Sequence, residues 1–474
     1  MRKIFYTTNE LISDREQIKK IFFFRICGTG MGAAATMLKE AGFHVEGGDN
    51  EFYPPMSTYL EESNISLKKI SDCSDEYLQS FDLIIVGNVV PKNSADATRL
   101  EGLGVKLTSF PQALGGLLLN KKEVVGIAGT HGKTTTTYLG VQVFNKLGVD
   151  VGYLIGGVLP NGPSAKVGKD NLFFIEADEY DTSYFEKTSK FLHYKIKHLI
   201  LTSLEYDHAD IFKDETEMVD SFEKLLNTSL ETKVVNLDFE MTRDLSKQHI
   251  FQQKYQKESL KYGPKLVSYK PGETVFNLKL GSEDVQFKTN LDNGHNILNL
   301  SSIILLAHEL GFDKERIVDA VRELSLVKRR QEVRGKIQGA IVIDDFAHHP
   351  TAVANTLQTV QVKYPDKEIV CVFEPASSTA RSDLFQSRFI DSFELASVVL
   401  IIPPRSKSTI LSGGDLNIDQ LKSDLEKIGK KVFLTSTLEK LTMHLRDFSN
   451  DNKVVVSLSN GKVLNLFSCG VVEK

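Results

Sequence analysis

The stretch that decides the fold covers residues 124–134 and reads Val-Val-Gly-Ile-Ala-Gly-Thr-His-Gly-Lys-Thr. Its apolar first half predicts a buried strand, and the residues from Thr134 to Leu147 have the apolar spacing of a helix that ends at Gly148. A glycine-rich loop between a strand and a helix offers an anion several backbone N–H groups and a positive helix end. The sequence therefore predicts a phosphate-binding loop.

We expect this loop to bind a nucleoside triphosphate together with Mg²⁺. Lys133 would neutralise charge on the β and γ phosphates, and the Thr134 hydroxyl would bind a magnesium ion between them. The pattern G-x-x-x-x-G-K-[ST] is only partly matched, because Ile127 occupies the position of the first glycine. A turn that merely joins the two elements is the alternative. The candidate cofactor-binding residues here are Gly129, Thr130, His131, Gly132, Lys133, Thr134 and Thr135.

Length, composition and charge indicate a soluble protein of several domains. A chain of 474 residues exceeds what one core usually supports. The net charge of -5 argues against nucleic acid as the main partner. The apolar runs are too short to span a bilayer, no cleavable signal precedes them, and the four cysteines show no metal-binding spacing. We expect a cytoplasmic protein with no membrane partner.

The N-terminal part predicts a second ligand site. Residues 21–27 indicate a buried strand, residues 28–33 match G-x-G-x-x-A as a glycine turn, and residues 33–41 indicate a helix. Such a turn suits the pyrophosphate of NAD or of a UDP-sugar, unless it serves packing alone. Asp49, about 20 residues further on, could hold a ribose hydroxyl. The candidate substrate-binding residues are Gly28, Thr29, Gly30, Met31, Gly32, Asp49 and, after a later strand, Asn88.

Acidic residues follow two further predicted strands. The apolar run at 172–175 is followed by four carboxylates: Glu176, Asp178, Glu179 and Asp181. Carboxylates this close repel one another unless a cation neutralises them, so the cluster predicts a magnesium site beside the phosphate loop. A solvated acidic loop is the alternative. His208, which follows the strand at 198–202, could be a ligand of that metal or support one.

The second half of the chain carries candidate adenosine and carboxylate contacts. Asn296 and Asn299 are three residues apart at the start of a predicted helix, where their amides could read an adenine edge or simply cap the helix. Arg330 ends a basic run, and Asp345 ends the next predicted strand, where an acid can bind ribose hydroxyls. Arg381 lies in a polar loop after a later strand and could bind a carboxylate.

The order of these motifs resembles the Mur ligase family from end to end. The most specific parts are Gly-Thr-His-Gly-Lys-Thr at 129–134 and Asp-Asp-Phe-Ala-His-His-Pro at 344–350, which look like the branch that acts on UDP-N-acetylmuramate. Tyr-Pro-Pro-Met-Ser at 53–57 and Leu-Glu-Tyr-Asp-His-Ala-Asp-Ile at 204–211 are similar to the murein peptide ligases of that branch. Those members add the tripeptide L-alanyl-γ-D-glutamyl-meso-diaminopimelate in peptidoglycan recycling.

The resemblance implies an α/β fold of three domains. These are a Rossmann-like UDP-sugar domain at 1–120, a central P-loop ATPase-like domain at 121–325, and a Rossmann-like domain at 326–474 that closes on ATP and binds the amine substrate. The implied catalytic residues are Lys133, Glu176 and His208. The resemblance also implies metal binding by Thr134, Glu176 and His208, adenine contact by Asn296 and Asn299, phosphate contact by Arg330 and ribose contact by Asp345.

The implied activity is ATP-dependent amide ligation of UDP-N-acetylmuramate to the tripeptide through an acyl phosphate, by a monomer. Two positions depart from the tripeptide-adding pattern: Ala376 stands where an arginine is usual, and Lys462-Val463-Leu464 stands where glycines are usual. Ligation of L-alanine in de novo peptidoglycan synthesis is therefore the alternative. A non-catalytic nucleotide-binding protein and an NAD-dependent dehydrogenase are alternatives from other classes.

Overall fold

The computed structural model describes residues 4–54, 56–257, 259, 261–292, 294–410 and 413–473. Pro55, in the Tyr-Pro-Pro-Met-Ser motif, lies outside this description. The chain forms two compact units. Unit one comprises Met1–Leu204, Val219–Gln256 and Ser302–Ala320, and unit two comprises Glu205–Met218, Lys257–Ser301 and Val321–Lys474.

The helices of the described residues are mostly short, and none combines the length and the apolar composition that crossing a membrane requires. They are α1 (Thr8–Asp14), α2 (Thr29–Glu40), α3 (Met56–Glu62), α4 (Asp75–Gln79), α5 (Ala95–Gly102), α6 (Phe110–Leu117), α7 (Lys133–Lys146), α8 (Glu215–Leu226), α9 (Glu240–Gln248), α10 (His295–Glu309), α11 (Lys314–Ala320), α12 (Pro350–Lys363), α13 (Gln386–Ser392), α14 (Ile418–Lys427) and α15 (Leu438–Phe448).

The strands alternate with these helices along most of the chain. They are β1 (Lys20–Phe24), β2 (His44–Asp49), β3 (Ser66–Lys69), β4 (Leu83–Val86), β5 (Lys106–Ser109), β6 (Glu123–Ala128), β7 (Gly152–Leu154), β8 (Ala165–Lys166), β9 (Leu172–Ala177), β10 (Asp181–Ser183), β11 (Glu186–Ser189), β12 (Ile196–Leu201), β13 (Thr232–Asn236), β14 (Gln253–Tyr255), β15 (Lys265–Lys270), β16 (Glu273–Leu280), β17 (Glu283–Thr289), β18 (Glu332–Ile337), β19 (Ala340–Asp345), β20 (Glu368–Glu374), β21 (Ala396–Ile401), β22 (Lys431–Leu434) and β23 (Lys453–Ser459).

Unit one contains a five-stranded parallel sheet in the order β3-β2-β1-β4-β5. The central strand β1 is buried on both faces, which explains its continuous apolar run from Ile21 to Phe24. β1 pairs with β2 on one side and with β4 on the other. The chain adds β2 and β3 on one side of β1 and then crosses to add β4 and β5 on the other side. The carboxyl end of β1 is therefore the switch point at which open parallel sheets bind ligands.

Unit one also contains a seven-stranded sheet in the order β14-β13-β12-β6-β9-β7-β8, parallel except for β8. β6 lies between β9 and β12, so the carboxyl ends of these three strands are neighbours. Gly126 lies inside β6, where a Cβ atom would be 2.4 Å from Cδ1 of Ile196 in β12. This glycine permits close packing within the sheet and is not part of the loop.

Unit two contains a six-stranded sheet in the order β18-β19-β23-β20-β21-β22, parallel except for β18. Its apolar core includes Phe373, Phe389 and Phe393, which are fully buried. The apolar runs at 274–280 and 285–289, on either side of Gly281-Ser282, predict a hairpin. A separate antiparallel sheet, β15-β16-β17, contains this hairpin as β16 and β17. The parallel sheets with interleaved helices confirm the α/β class.

The predicted start of the second helix at residue 33 is wrong, because α2 begins at Thr29. Gly28 is the residue that precedes the helix, so Gly30 and Gly32 lie within its first turns. A Cβ at Gly30 would be 3.2 Å from the Phe110 ring, and one at Gly32 would be 2.2 Å from Sδ of Met56. These two glycines allow neighbouring side chains to pack directly on the helix.

The four cysteines are free thiols, and only one is exposed. Cys27, Cys73 and Cys371 are buried, whereas Cys469 is exposed. Burial, together with the neighbouring Asp49 carboxylate, raises the pKa of Cys27 to about 11. Burial also raises the pKa of Cys73 and of Cys371. The buried thiols are therefore protonated and poorly nucleophilic at neutral pH.

Candidate active site

The phosphate loop has a backbone that only glycine adopts readily. Gly129 has φ 126 and Gly132 has φ 84. A Cβ at Gly129 would lie 2.5 Å from the carbonyl oxygen of Ser203, so this position has no room for a side chain. Ile127 is fully buried in β6. The loop therefore begins after the strand, at Gly129, which explains why the first glycine of the common pattern is missing.

Two hydroxyl residues after β12 fix the loop from the side. Thr202 Oγ1 donates a hydrogen bond to the carbonyl oxygen of His131 at 2.6 Å, and the His131 backbone N–H donates to Ser203 Oγ at 2.7 Å. The sequence pattern alone did not indicate a role for Thr202 or Ser203. The available signal was a Thr-Ser pair directly after a buried strand, and its partner lies more than 70 residues away.

Lys133 is held by a carboxylate. Its ammonium group donates to the carbonyl oxygen of Gly129 at 2.6 Å and to the two oxygens of Glu179 at 2.8 and 3.0 Å. Burial disfavours the charged amine, but the carboxylates of Glu179 and Asp178 raise the pKa of Lys133 above its ordinary value. Lys133 is therefore a cation, and Glu179, which the sequence placed only within the acidic cluster, is its counter-ion.

Thr134 and Glu176 form an oxygen-rich pair that fits a magnesium ion. The Thr134 hydroxyl donates to Oε2 of Glu176 at 2.9 Å, and the Gly156 backbone N–H donates to Oε1 at 2.6 Å. A hydroxyl and a carboxylate beside a phosphate loop are the hard oxygen donors that Mg²⁺ prefers. Asp178 instead accepts a hydrogen bond from the Lys190 ammonium at 2.7 Å. The predicted grouping of Thr134 with Glu176 is thus present in unit one.

His208 belongs to unit two and has a left-handed backbone, with φ 57. Its backbone N–H donates to Oδ1 of the buried Asp207 at 2.7 Å. Burial opposes ionisation of Asp207, but the imidazoles of His208, His349 and His348 hold the pKa of this carboxyl well below its usual range. Unit two therefore contains a buried carboxylate among histidines, and metal binding by His208 stays a prediction.

The two candidate adenine contacts lie at the start of α10. Asn296 and Asn299 are both buried, and α10 begins at His295, so the predicted helix start is confirmed. An asparagine amide presents a donor and an acceptor side by side, which is what one edge of adenine requires. Contact with adenine stays a prediction.

The basic run and the acidic strand end are in direct contact in unit two. The guanidinium groups of Arg329 and Arg330 lie 5.4 and 5.1 Å from the centroid of the Phe346 ring. Asp345 is buried, and its two oxygens accept the backbone N–H groups of Gln331 and Ala347, both at 2.8 Å. Phosphate contact by Arg330 and ribose contact by Asp345 stay predictions, but the orientation of Asp345 is fixed by the backbone.

The neighbouring Asp344 differs in its electrostatics. Burial raises the pKa of Asp344 to about 6, although the guanidinium groups of Arg329 and Arg334 oppose this rise. Its Oδ2 atom lies 3.3 Å from Nε of Arg329. Asp344 therefore helps to hold the basic run beside β19.

The loops after β20 and β23 contain Arg381, the candidate for binding a substrate carboxylate, and the segment 462–464 that departs from the family pattern. Arg381 donates a hydrogen bond to the Ser406 hydroxyl. Glu374 Oε2 accepts hydrogen bonds from Ser459 Oγ at 2.7 Å and from the Val463 backbone N–H at 2.9 Å. Carboxylate binding by Arg381 stays a prediction.

The segment 463–465, which we call the C-terminal turn, has a left-handed backbone without glycine. The φ angles of Val463, Leu464 and Asn465 are 45, 52 and 63. Val463 and Leu464 stand where the tripeptide-adding pattern usually has glycines, and their backbone keeps a conformation that glycine favours.

The glycine-rich segment of the first domain presents only part of its residues to a ligand. Gly28 and Thr29 are exposed at the N-terminus of α2, whereas Met31 and Gly32 are buried and Gly30 is partly buried. Gly28 and Thr29 can therefore reach an anion at this helix end through their backbone. Met31 and Gly32 contribute by packing.

Asp49 and Asn88 lie on the two sides of this helix end. Asp49 ends β2, and its Oδ2 atom accepts the Cys27 backbone N–H at 2.8 Å. Asn88 is exposed in the loop that follows β4. The predicted substrate-binding residues thus lie at the carboxyl ends of β1, β2 and β4, around the switch point of the sheet.

Comparison with known families accounts for nearly the whole chain. Residues 20–122 match the description "Mur ligase family, catalytic domain", residues 127–307 match "Mur ligase middle domain", and residues 329–461 match "Mur ligase, glutamate ligase domain". The three matches follow the order of the three large sheets.

Individual relatives agree with these matches. The chain is 34% identical over 399 residues to the UDP-N-acetylmuramate–L-alanyl-γ-D-glutamyl-meso-2,6-diaminoheptandioate ligase of Haemophilus influenzae, covering 82% of this chain and 87% of that protein. It is 27% identical over 450 residues to the UDP-N-acetylmuramate–L-alanine ligase of Desulfitobacterium hafniense, covering 94% and 97%. A murein peptide ligase of Psychrobacter arcticus superposes with a TM-score of 0.67 at 26% identity, covering 94% and 97%. The chain belongs to the Mur ligase family and is an ATP-dependent ligase of three α/β domains.

Proposed function

We propose that this ligase joins UDP-N-acetylmuramate to the tripeptide L-alanyl-γ-D-glutamyl-meso-diaminopimelate, in peptidoglycan recycling. The observation that carries the chemistry is the group formed by Lys133, Thr134 and Glu176 at the phosphate loop. The choice of acceptor is supported by the higher identity to tripeptide ligases, 34% and 33%, than to L-alanine ligases, 27%. We expect the reaction in the cytoplasm, where ATP is available.

A carboxylate is a poor electrophile, so amide formation needs its oxygen converted into a leaving group. The lactyl carboxylate of UDP-N-acetylmuramate attacks the γ-phosphoryl group of ATP, which gives an acyl phosphate and ADP. The amine of the tripeptide's L-alanine then attacks the acyl carbon, and phosphate leaves. Two anions must approach each other in the first step, and the Lys133 ammonium offsets their repulsion.

Lys133 must exchange partners during this cycle. Its ammonium is bonded to Glu179 and to the Gly129 carbonyl oxygen. When phosphate enters the loop, the ammonium turns to the phosphate oxygens, while the Glu179 carboxylate stays close enough to keep the amine protonated. The N–H groups at the start of α7 bind the remaining phosphate charge.

Thr134 would hold one magnesium ion, and we assign Glu176 and His208 to a second metal ion. A bound magnesium ion would supply charge neutralisation and alignment of the phosphate oxygens. The orientation of the Glu176 carboxylate is already fixed, because the Gly156 N–H donates a hydrogen bond to one of its oxygens and the Thr134 hydroxyl donates to the other.

We assign the UDP-sugar to a domain at 1–120, ATP to a domain at 121–325 and the amine substrate to a domain at 326–474, as a monomer. In the last of these, Arg381 would bind a carboxylate of the acceptor peptide. Ligation of L-alanine is the second candidate, because the L-alanine ligase of Desulfitobacterium hafniense aligns over 94% of this chain.

One assay separates the two candidates. The protein is incubated with ATP, Mg²⁺ and UDP-N-acetylmuramate and with either the tripeptide or L-alanine, and both ADP release and product mass are measured. We expect a product of the mass of UDP-N-acetylmuramyl-tripeptide. A product formed with L-alanine alone would replace the tripeptide proposal, and ATP binding without ADP release under either condition would argue against a catalytic role.

A further inference from the structure

Arg25 follows β1 at the switch point of the first sheet and has a left-handed backbone, with φ 69. This conformation is uncommon for a residue with a long side chain, so the surroundings of Arg25 matter. The Arg25 N–H donates to the carbonyl oxygen of Gly48 in β2 at 2.8 Å. On the other side, a Cβ at Gly87, directly after β4, would be 3.0 Å from Cβ of Arg25. Arg25 is thus enclosed between the ends of β2 and β4.

The guanidinium group of Arg25 connects the loops on both sides of the crevice. Its Nη2 atom lies 2.6 Å from Oδ2 of Asp96, and its Nη1 atom lies 3.6 Å from Oδ1 of Asp49. Asp96 lies in the first turn of α5, after the loop that carries Asn88. The Arg25 side chain is only 19% exposed, so water screens these ion pairs weakly.

Asp49 connects the Arg25 guanidinium to the glycine-rich segment. While one oxygen faces Arg25, the other accepts the backbone N–H of Cys27, the residue before Gly28. Asp96, Arg25 and Asp49 therefore form one chain of contacts that ends at the N-terminus of α2. Two carboxylates and one guanidinium carry a net negative charge, which disfavours direct binding of a diphosphate by Arg25. The arrangement instead fixes the Asp49 carboxylate, a group suited to sugar hydroxyls.

We propose that Arg25 is a positioning residue for the UDP-sugar: it sets the orientation of Asp49 and the separation of the loops after β2 and β4. This inference rests on the proposed function, because it takes UDP-N-acetylmuramate as the ligand of the first domain. Arg25 acts through Asp49 and need not touch the ligand.

The test variant is Arg25→Gly, because glycine adopts φ 69 without strain and the fold is retained. We expect KM for UDP-N-acetylmuramate, and its Kd measured by calorimetry, to rise about tenfold, which corresponds to ~1.4 kcal/mol. We expect kcat at saturating UDP-sugar and KM for ATP to change less than about twofold, because only UDP-sugar binding is altered. The matched control is Asn64→Gly, an exposed left-handed position in the same domain without an ion pair, with φ 54.

A double-mutant cycle with Asp96→Asn tests the connection itself. If Arg25 acts by holding the two loops, Asp96→Asn also raises the Kd, and the double variant binds no more weakly than Arg25→Gly alone. Additive losses, or a Kd for Arg25→Gly within about twofold of wild type, would overturn the inference.

The same measurements separate this inference from the proposed function. Wild-type protein that binds UDP-N-acetylmuramate but forms no product would contradict the proposed reaction. The role of Arg25 would still be decided by the ratio of the Kd of Arg25→Gly to the Kd of wild type for UDP-N-acetylmuramate. Wild-type protein that does not bind UDP-N-acetylmuramate would overturn both.

Discussion

The phosphate loop and the C-terminal turn both need left-handed backbone, and the chain meets this need with different residues. The loop uses Gly129 and Gly132, with φ 126 and 84. The C-terminal turn uses Val463, Leu464 and Asn465, with φ between 45 and 63. Left-handed backbone alone therefore does not require glycine in this protein.

The space around each segment explains the difference. At Gly129 a Cβ would be 2.5 Å from a carbonyl oxygen, and phosphate must also approach the backbone. In the C-terminal turn, Val463 and Leu464 are buried in the apolar core of unit two. Burial of such a side chain contributes about 1.5–3 kcal/mol, which offsets a strain of about 1–3 kcal/mol. Glycine is required where there is no room, whereas strain is tolerated where a side chain gains burial.

The largest effect is expected for Lys133→Ala in the phosphate loop. Loss of the ammonium removes the charge that offsets repulsion between substrate and ATP, so kcat should fall at least about a hundredfold. ADP release under saturating substrates measures this. Lys146→Ala, at the other end of α7, is the control and should keep wild-type turnover. Turnover of Lys133→Ala near the wild-type rate would remove Lys133 from the mechanism.

The next effect is expected for Gly129→Ala. The new methyl group would collide with the Ser203 carbonyl oxygen, so we expect a loss of about 2 kcal/mol in unfolding free energy and weaker ATP binding. Chemical denaturation and calorimetry measure the two losses. Gly148→Ala is the control, since Gly148 has φ 92 but its Cβ would be no closer than 3.5 Å to a neighbour. Equal losses in both variants would mean that backbone conformation, not lack of room, decides the loop.

A smaller effect is expected at Val463. Val463→Ala loses buried methyl groups and keeps the strained backbone, whereas Val463→Gly loses one more carbon but relaxes the strain. We therefore expect Val463→Gly to lie within about 1 kcal/mol of wild type and to be at least as stable as Val463→Ala. Chemical denaturation of the pair measures this. A glycine variant markedly less stable than the alanine variant would show that the turn is not strained.

The smallest effect is expected for Asn465→Gly. Asn465 is exposed and its φ is 63, a region that asparagine tolerates better than other residues with a side chain. The unfolding free energy should rise by no more than about 0.5 kcal/mol. A clear loss of stability would mean that the Asn465 side chain supports the turn.

The sequence could predict the elements that local pattern determines. Apolar runs and glycines located β6, α7 and the hairpin around Gly281, and the acids at strand ends located Glu176 and Asp345. Family resemblance added the order of the domains and the type of reaction.

The remaining features depend on contacts between distant residues. Arg25 meets Asp96, 71 residues away, and Thr202 meets His131, also 71 residues away. The first turns of the helix that begins at Thr29 are packed by Phe110 and Met56, which lie close to Gly30 and Gly32. No local periodicity encodes such pairings, because each residue alone is ordinary for a loop or a helix.

The distribution of the four thiols makes the wild-type chain ready for site-specific labelling. Three thiols are buried with raised pKa values, and Cys469 alone is exposed. A maleimide dye or spin label applied briefly at neutral pH should therefore attach at one position, beside the C-terminal turn. Ligand-dependent changes in that part of unit two could then be followed spectroscopically without removing any native cysteine.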